Sequence, residues 1–383
     1  MSNEPVTFLR SDSLLPGLVR KSLALTHVGL QGAGELTRLV AETHATISAA
    51  PLPWRQDGME PAHRAPFPYR LVAQGFLHLA RLAHSLLGQS SIPAAERGQL
   101  FYSALNGVCG DKLEAWDSPL AQSMMLCDEH GQPLTPRWAR ESGEVVIFLH
   151  GLCLSEREWQ TPAHTAFVTA LRAQGHAVAW LRYNSGRPIH ENGASLSALL
   201  ERQFASSSAR LTLVGHSMGG LLIRSASHHA DKTGAAWLSH LYQAAYLAAP
   251  HLGAPLERMG NALNNTLGLT PYSRPLMRLG NIRSQGIRDL RHGRLHAEDD
   301  NAPLHPGVRH FLLAVHMGTD GEGHWMGDGL VPVRSALGQH VEAERALNAP
   351  DLTRRELTEL NHMAVLRDER VYRELEDWMV PAR

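Results

Sequence analysis

Leu211-Thr212-Leu213-Val214-Gly215-His216-Ser217-Met218-Gly219-Gly220 is the stretch that decides how this chain folds. The apolar run Leu211 to Val214 reads as a strand, and Leu221 to Ala230 follows with helical spacing. Strand, sharp turn and helix therefore meet at a serine. Glycines on both sides let the backbone take a tight, strained turn that lifts the Ser217 hydroxyl out of a packed sheet. The same turn aims backbone N–H groups and a helix N-terminus at the place where an oxyanion would form. With 33 glycines in 383 residues, G-x-S-x-G also arises by composition, so the flanking strand and helix carry the reading.

A serine hydroxyl is a poor nucleophile at neutral pH and needs a histidine base oriented by an acid. In strand–turn–helix sites of this kind the chain order is serine, acid, histidine. The candidate acid is Asp328 in Gly327-Asp328-Gly329-Leu330-Val331-Pro332, beyond the apolar strand Phe311 to Val315, with Asp320 in reserve. A carboxylate past a strand's carboxyl end lies where open α/β sheets build their sites. A surface turn at Asp-Gly is the alternative. The candidate base is His362, before a terminal amphipathic helix bearing Val365, Leu366, Val371, Leu375 and Trp378. The chain holds 23 histidines, so position is the argument: His316, His324 and His340 do not lie between the last strand, read as Arg354 to Leu360, and the last helix. A solvated helix-cap histidine is the alternative.

Upstream, Glu144 to Leu149 is a short apolar strand running into His150-Gly151-Leu152. Glycine at 151 permits close backbone approach, so that the N–H groups of Leu152 and Met218 form a candidate oxyanion hole; an ordinary strand-end turn is the alternative. Together with Ala248-Ala249-Pro250-His251-Leu252-Gly253-Ala254-Pro255 and Asn361-His362-Met363-Ala364-Val365-Leu366, these motifs resemble serine lipases and esterases of the α/β-hydrolase superfamily. More narrowly, they are similar to bacterial lipase-like proteins grouped with GPI inositol-deacylase-type hydrolases. The resemblance runs from about Gln122 to the C-terminus. It implies Ser217 as nucleophile, His362 as general base and then acid, Asp328 as its orienting residue, and Leu152 and Met218 as backbone oxyanion donors. It implies ester hydrolysis, with acyl transfer, thioester cleavage or binding without catalysis as alternatives. No cofactor is implied, and no metal spacing is found: the acidic run Glu298-Asp299-Asp300 reads as a solvated loop.

The expected fold class is α/β: a doubly wound, mostly parallel sheet with an N-terminal helical region and a helical lid insertion. The chain divides into residues 1–118, helical, and 119–383, catalytic. In the first region helices are expected over Leu18 to Ile47, Leu71 to Leu87 and Ala94 to Val108, with a proline-rich join from Pro51 to Pro68. They read as packed on the core, with contact to a lipid surface as the sharper alternative. In the second, Ser123 to Cys127 and a partner near Leu134 form a hairpin, followed by strands at Val145 to Leu149, Ala177 to Leu181, Leu211 to Val214 and Leu241 to Ala248. A lid is expected at 252–307, with helices over Pro255 to Leu267, Arg274 to Leu279 and Ser284 to Arg291. Its Met259, Leu263 and Leu276 either line an acyl groove or form the lid's own core.

A net charge of -1 gives no electrostatic footprint for nucleic acid. Cys109, Cys127 and Cys153 are odd in number and widely spaced, which argues against a disulfide framework; Cys153 reads as a packing residue. Glu4 and Asp12 interrupt the N-terminus and no apolar h-region follows, so neither a secretory signal nor a membrane span is expected. A cytoplasmic protein acting on small-molecule or lipid esters is the resulting expectation.

Overall fold

The computed structural model describes residues 24–34, 74–79, 81, 99–135, 138, 143–255, 284–295, 302–319 and 327–379. Seven strands are formed: β1 (Met125–Cys127), β2 (Glu144–Leu149), β3 (Ala177–Arg182), β4 (Arg210–His216), β5 (Leu241–Leu247), β6 (Arg309–Val315) and β7 (Leu352–Leu357). They make one sheet in the order β1-β3-β2-β4-β5-β6-β7. Every pairing is parallel except that of β1, which lies antiparallel to β3 with Leu126 opposite Leu181. This is the doubly wound, mostly parallel sheet expected from the alternation of strands and helices.

A parallel sheet covered on both faces needs strands that are apolar throughout, and β2 shows it: Val145 to Leu149 are all fully buried. Val145, Ile147 and Leu149 face a core that includes Leu196, Leu200, Leu221 and Leu222; Val146 and Phe148 face Trp159, Phe167, Trp180 and Trp378. The main helices around the sheet are α1 (Gln99–Ala115), α2 (Pro162–Ala173), α3 (Ile189–Phe204), α4 (Met218–Thr233), α5 (Gln285–His292) and α6 (Glu369–Met379). α3 and α4 cover the first face, α2 and α6 the second. α2 starts cleanly because Thr161 accepts a hydrogen bond from the His164 N–H and Pro162 occupies the first helical position.

The order of the strands places the site. From β2 the chain crosses to β3 on one side and then returns to lay β4 on the other. Strand order thus reverses at the β2/β4 pair, where Leu149 lies opposite Gly215, and the crevice beyond these carboxyl ends is where such sheets bind ligands. Ser217 follows β4 immediately, and His150-Gly151 follows β2.

Several expectations shift. The hairpin between Ser123 to Cys127 and Leu134 is short: the Leu134 N–H donates to the Leu126 carbonyl at 2.9 Å and the Asp128 N–H to the Gln132 carbonyl at 3.0 Å around a single bridge, Cys127 to Pro133, while the other edge of β1 pairs with β3. The last strand is Leu352–Leu357, not Arg354 to Leu360; Glu359 takes φ +60° and the Leu360 N–H turns back to the His316 carbonyl. Val365 and Leu366 lie in a separate 3-10 turn before α6. The third expected helix is α1, ending at Ala115.

Two compact units are found: residues 1–95 with 113–121, and 96–112 with 122–383. In the first, residues 24–34 and 74–79 are helical, with Ala24 and His27 buried. In the second, the 252–307 segment is described only at its ends and at α5, so Met259, Leu263, Leu276 and the helices over 255–267 and 274–279 lie outside the described residues. Among the described residues no helix is long and apolar enough to cross a membrane.

Burial also fixes the charge state of several histidines. Desolvation holds His150 and His310 at about 4 and His164 at about 3. Above pH 6.5 these rings are neutral in both folded and unfolded chain and stability is unaffected. As pH falls below 6.5 the unfolded chain takes up protons that the folded chain refuses. Each ring then costs about 1.4 kcal/mol per pH unit. Urea unfolding measured from pH 7.5 to 5 should show a steep loss of stability beginning near 6.5; a flat profile would show that these rings reach water.

Candidate active site

The turn after β4 is built around missing side chains. A Cβ on Gly215 would lie 2.5 Å from the Gly220 nitrogen, one on Gly219 would lie 2.5 Å from the Leu149 carbonyl oxygen, and one on Gly220 would meet Ala249 Cβ at 2.5 Å. No real Cβ tolerates such distances, so α4 can start against the ends of β2 and β5 only because these positions are bare. Ser217 sits at the apex with φ +53° and ψ −122°, backbone that a residue with a side chain occupies at a cost of about 1–3 kcal/mol. Its N–H donates to the Leu247 carbonyl at 2.9 Å, and its carbonyl accepts from the Gly220 N–H at 3.0 Å. These two bonds hold the strained conformation. Ser217 is 3% exposed.

Asp328 and His362 are brought together from different loops. The Asp328 carboxylate accepts from the backbone N–H groups of Leu330 and Val331 through Oδ1, at 2.9 and 2.7 Å, and from His362 Nδ1 through Oδ2, at 2.7 Å. The backbone repeats the link, the His362 N–H donating to the Asp328 carbonyl at 3.0 Å. Gly327 and Gly329 both take positive φ, so the loop closes around the carboxylate. With its Nδ1 proton given to Asp328, the His362 ring carries its lone pair on Nε2, the arrangement a general base requires. Ser217 Oγ and His362 form no hydrogen bond in this structure. The neighbouring His216 makes the connection instead: its Nε2 donates to the His362 carbonyl at 3.1 Å, and the two ring centres are 4.8 Å apart.

Among the rivals, His316 is buried against Glu356 at 3.2 Å, and His340 accepts from the Glu342 backbone N–H in a partly exposed turn. Asp320 and His324 lie outside the described residues.

The loop after β2 approaches the serine closely. A Cβ on Gly151 would stand 3.0 Å from Ser217 Cβ. His150 anchors the loop: its Nδ1–H donates to the Gly151 carbonyl at 2.8 Å, its carbonyl accepts from Tyr183 OH at 2.9 Å, and its ring stacks on Tyr183 at 4.3 Å. Cys153 takes φ +62° and gives its N–H to Ser185 Oγ at 3.0 Å. The N–H of Leu152 pairs with no acceptor among the described residues. That of Met218, first in α4, precedes any intrahelical acceptor.

The second unit adds a support that sequence reasoning missed. α1 kinks at Cys109 (φ −140°, ψ 27°), and the carbonyls its broken ladder releases are taken up by other elements. Ser284 donates to Gly107 through Oγ (2.6 Å) and to Val108 through N–H (2.9 Å), while Asn184 Nδ2 donates to Gly110 (2.9 Å). Ala104 and Val108 pack on Leu152 and Cys153. A Cβ on Gly107 would overlap Cys153 Sγ and lie 2.8 Å from Cys153 Cα. Nothing local in the sequence announces these contacts; the glycines at 107 and 110, poor helix formers inside a helix, were the available signal. The three cysteines are free and buried, and desolvation pushes the Cys109 and Cys127 thiols up to about 12 and Cys153 upward as well, which makes them inert packing groups. Among the described residues no group of three or more His, Cys, Asp or Glu is placed to hold a metal, and Glu298 to Asp300 lie outside them.

Residues 146–376 match the model of the Alpha/beta hydrolase family, and the chain belongs to that family. Among solved structures it is similar to the mature Bacillus licheniformis lipase BlEst2, at 18% identity over 66% of this chain and 96% of that one, with a TM-score of 0.44. It is also similar to the RedJ thioesterase of the prodiginine pathway of Streptomyces coelicolor, at 18% identity over 64% and 88%, TM-score 0.40. A monoacylglycerol lipase from Paleococcus ferrophilus is similar at 13% identity over 67% and 96%, TM-score 0.38. No curated protein matches.

Gly107→Ala tests the support under the Leu152 loop. Overpacking against Cys153 should destabilise the protein by about 1–3 kcal/mol in urea unfolding. Adding Cys153→Ala, which removes the overlapped sulfur, should return part of that loss. An unchanged midpoint for the single variant would show that α1 and this loop are not in contact.

Proposed function

We propose that this protein is a serine hydrolase that cleaves carboxylic esters through an acyl-enzyme intermediate. The observation that carries the reading is the buried Asp328–His362 pair, hydrogen-bonded at 2.7 Å, in the same site as a serine held at φ +53°. Such strain and such a pair have no need of each other in a structural turn. A nucleophile and its base need both.

In this reading His362 Nε2 takes the Ser217 proton as Oγ attacks the ester carbonyl. The resulting oxyanion is received by the N–H groups of Leu152 and Met218, donors without internal partners. His362 then protonates the departing alcohol, and water, deprotonated by the same ring, releases the acid and regenerates Ser217. Asp328 keeps the proton on Nδ1 and stabilises the imidazolium that forms. Oxyanion donors fixed in advance act on the transition state rather than the substrate, and losing one typically costs about a hundredfold or more in rate. The substrate class proposed is acyl esters, lipids included. A water or alcohol acceptor distinguishes hydrolysis from acyl transfer, and product analysis reads the difference directly.

Ser217→Ala should abolish both ester turnover and labelling by a fluorophosphonate probe while the thermal melt stays cooperative. Undiminished labelling of that variant would end the assignment. Asp328→Asn, which favours the wrong His362 tautomer, should lower kcat by roughly 10⁴-fold. A series of p-nitrophenyl esters of increasing chain length tests the lipid reading: a sharp preference for short chains would exclude it.

A further inference from the structure

We infer that His216, the residue before the proposed nucleophile, is a positioning residue: its Nε2–H holds the His362 main chain in place for proton transfer with Ser217. The inference rests on the proposed reading of Ser217, Asp328 and His362. It goes beyond it by assigning work to a side chain that the serine-histidine-acid scheme leaves unused.

His362 is fastened at three points. Asp328 supplies two, through the ring Nδ1 at 2.7 Å and the backbone N–H at 3.0 Å. Both come from one loop, so a pair of bonds to a single residue leaves His362 free to swing with that loop. The third point is the bond from His216 Nε2 to the His362 carbonyl, at 3.1 Å. It comes from the end of β4, the strand that carries Ser217. The strand that places the nucleophile therefore also places the base, and the two register against each other through one hydrogen bond.

The chemistry of the ring is consistent with this. A carbonyl oxygen only accepts, so the proton must sit on His216 Nε2 and the lone pair on Nδ1. That Nδ1 is buried and has no hydrogen-bond partner, and a Cβ at Gly151 would approach it to 3.3 Å. The tautomer that would relieve Nδ1 would set the Nε2 lone pair against the His362 carbonyl. The fold keeps the partner-facing donor and leaves the other nitrogen bare. Burial, with His362 next to it, also drives the His216 pKa well below its ordinary value. The ring thus stays neutral while His362, 4.8 Å away, takes up a proton, and adds no repulsion to that step.

Three substitutions separate a donor from a filler. In His216→Gln the amide nitrogen falls where Nε2 was; in His216→Asn it falls where Nδ1 was, short of the carbonyl; His216→Phe keeps a ring without a donor. The Gln variant should keep kcat within about threefold of the parent. The Asn and Phe variants should lose roughly 10–100-fold in kcat and in fluorophosphonate labelling rate, with KM within about twofold, as misplacement of a reacting group does. A readout independent of turnover is the downfield proton resonance of the His362 Nδ1–H bound to Asp328. It should persist in the parent and the Gln variant and exchange faster in the other two. Full activity in the Phe variant would overturn the inference, as would a Gln variant as slow as Asn and Phe, which would mark the ring as packing. If the parent itself is not labelled at Ser217, the proposed function fails, and the proton resonance alone decides the positioning role.

Discussion

The structure depends on how closely the start of α4 approaches the ends of β2 and β5. Gly215, Gly219 and Gly220 allow backbone to touch backbone there, and everything at the site is measured from that contact. It forces Ser217 into positive φ at about 1–3 kcal/mol. α4 offsets this at once, because Leu221, Leu222 and Ile223 are fully buried directly behind the turn, each contributing about 1.5–3 kcal/mol. Even after discounting for a compact unfolded state, the burial wins. The strain is therefore tolerated by the helix that causes it.

The same accounting explains which parts could be read from the chain alone. The turn at Ser217, the strand ending in His150-Gly151 and the strand order around them depend on residues adjacent in sequence, and their spacing reports them. Asp328 and His362 are 34 residues apart, yet each follows a strand of a sheet whose order is fixed, so chain order substitutes for distance. The contact of Gly107 with Cys153 has no such substitute. An amphipathic helix announces that it has a buried face but not what covers it, and α1 has no single face to announce because every residue from Tyr102 to Gly110 is buried, Ser103 and Asn106 included. The pairing of β1 was legible on one edge only. Its hairpin edge is held by the Leu134–Leu126 and Asp128–Gln132 backbone bonds between residues close in sequence, while its other edge takes β3, more than 40 residues on, as neighbour.

With 23 histidines, composition said little about which one mattered, and burial says more. His150, His164, His216, His251 and His310 are all buried, and desolvation lowers the pKa of each. They act as neutral hydrogen-bonding rings: His164 accepts from Trp180 Nε1 and His310 donates through Nε2 to the His305 carbonyl. His316 has a carboxylate, but Glu356 is partly exposed on edge strand β7. His362 has a carboxylate that is itself buried and tied to two backbone N–H groups. A buried acid fixes a ring in one tautomer and one orientation, which a solvated acid on a flexible stem does not. That difference, rather than proximity of opposite charges, separates His362 from its neighbours.

A buried cation ties the two ends of the β5–β6 connection together. Arg224, on α4 two turns past Ser217, is 3% exposed, and burial lowers its pKa to about 10, which leaves it charged. Among the described residues no carboxylate pairs with it; it donates instead to the carbonyls of His251 and Ala302. Leaving a guanidinium without a counter-charge in the interior costs several kcal/mol, so its hydrogen bonds must be worth keeping. They join the chain where it leaves β5 to the chain where it returns towards β6. Ser335 secures the departing strand further, donating to the Gly253 carbonyl and accepting from the Leu252 N–H. The long connection between β5 and β6 is thereby clamped at its base by the helix that follows Ser217. The clamp fixes the two described ends of the connection, at His251 and Ala302, against the helix that begins at the Ser217 turn.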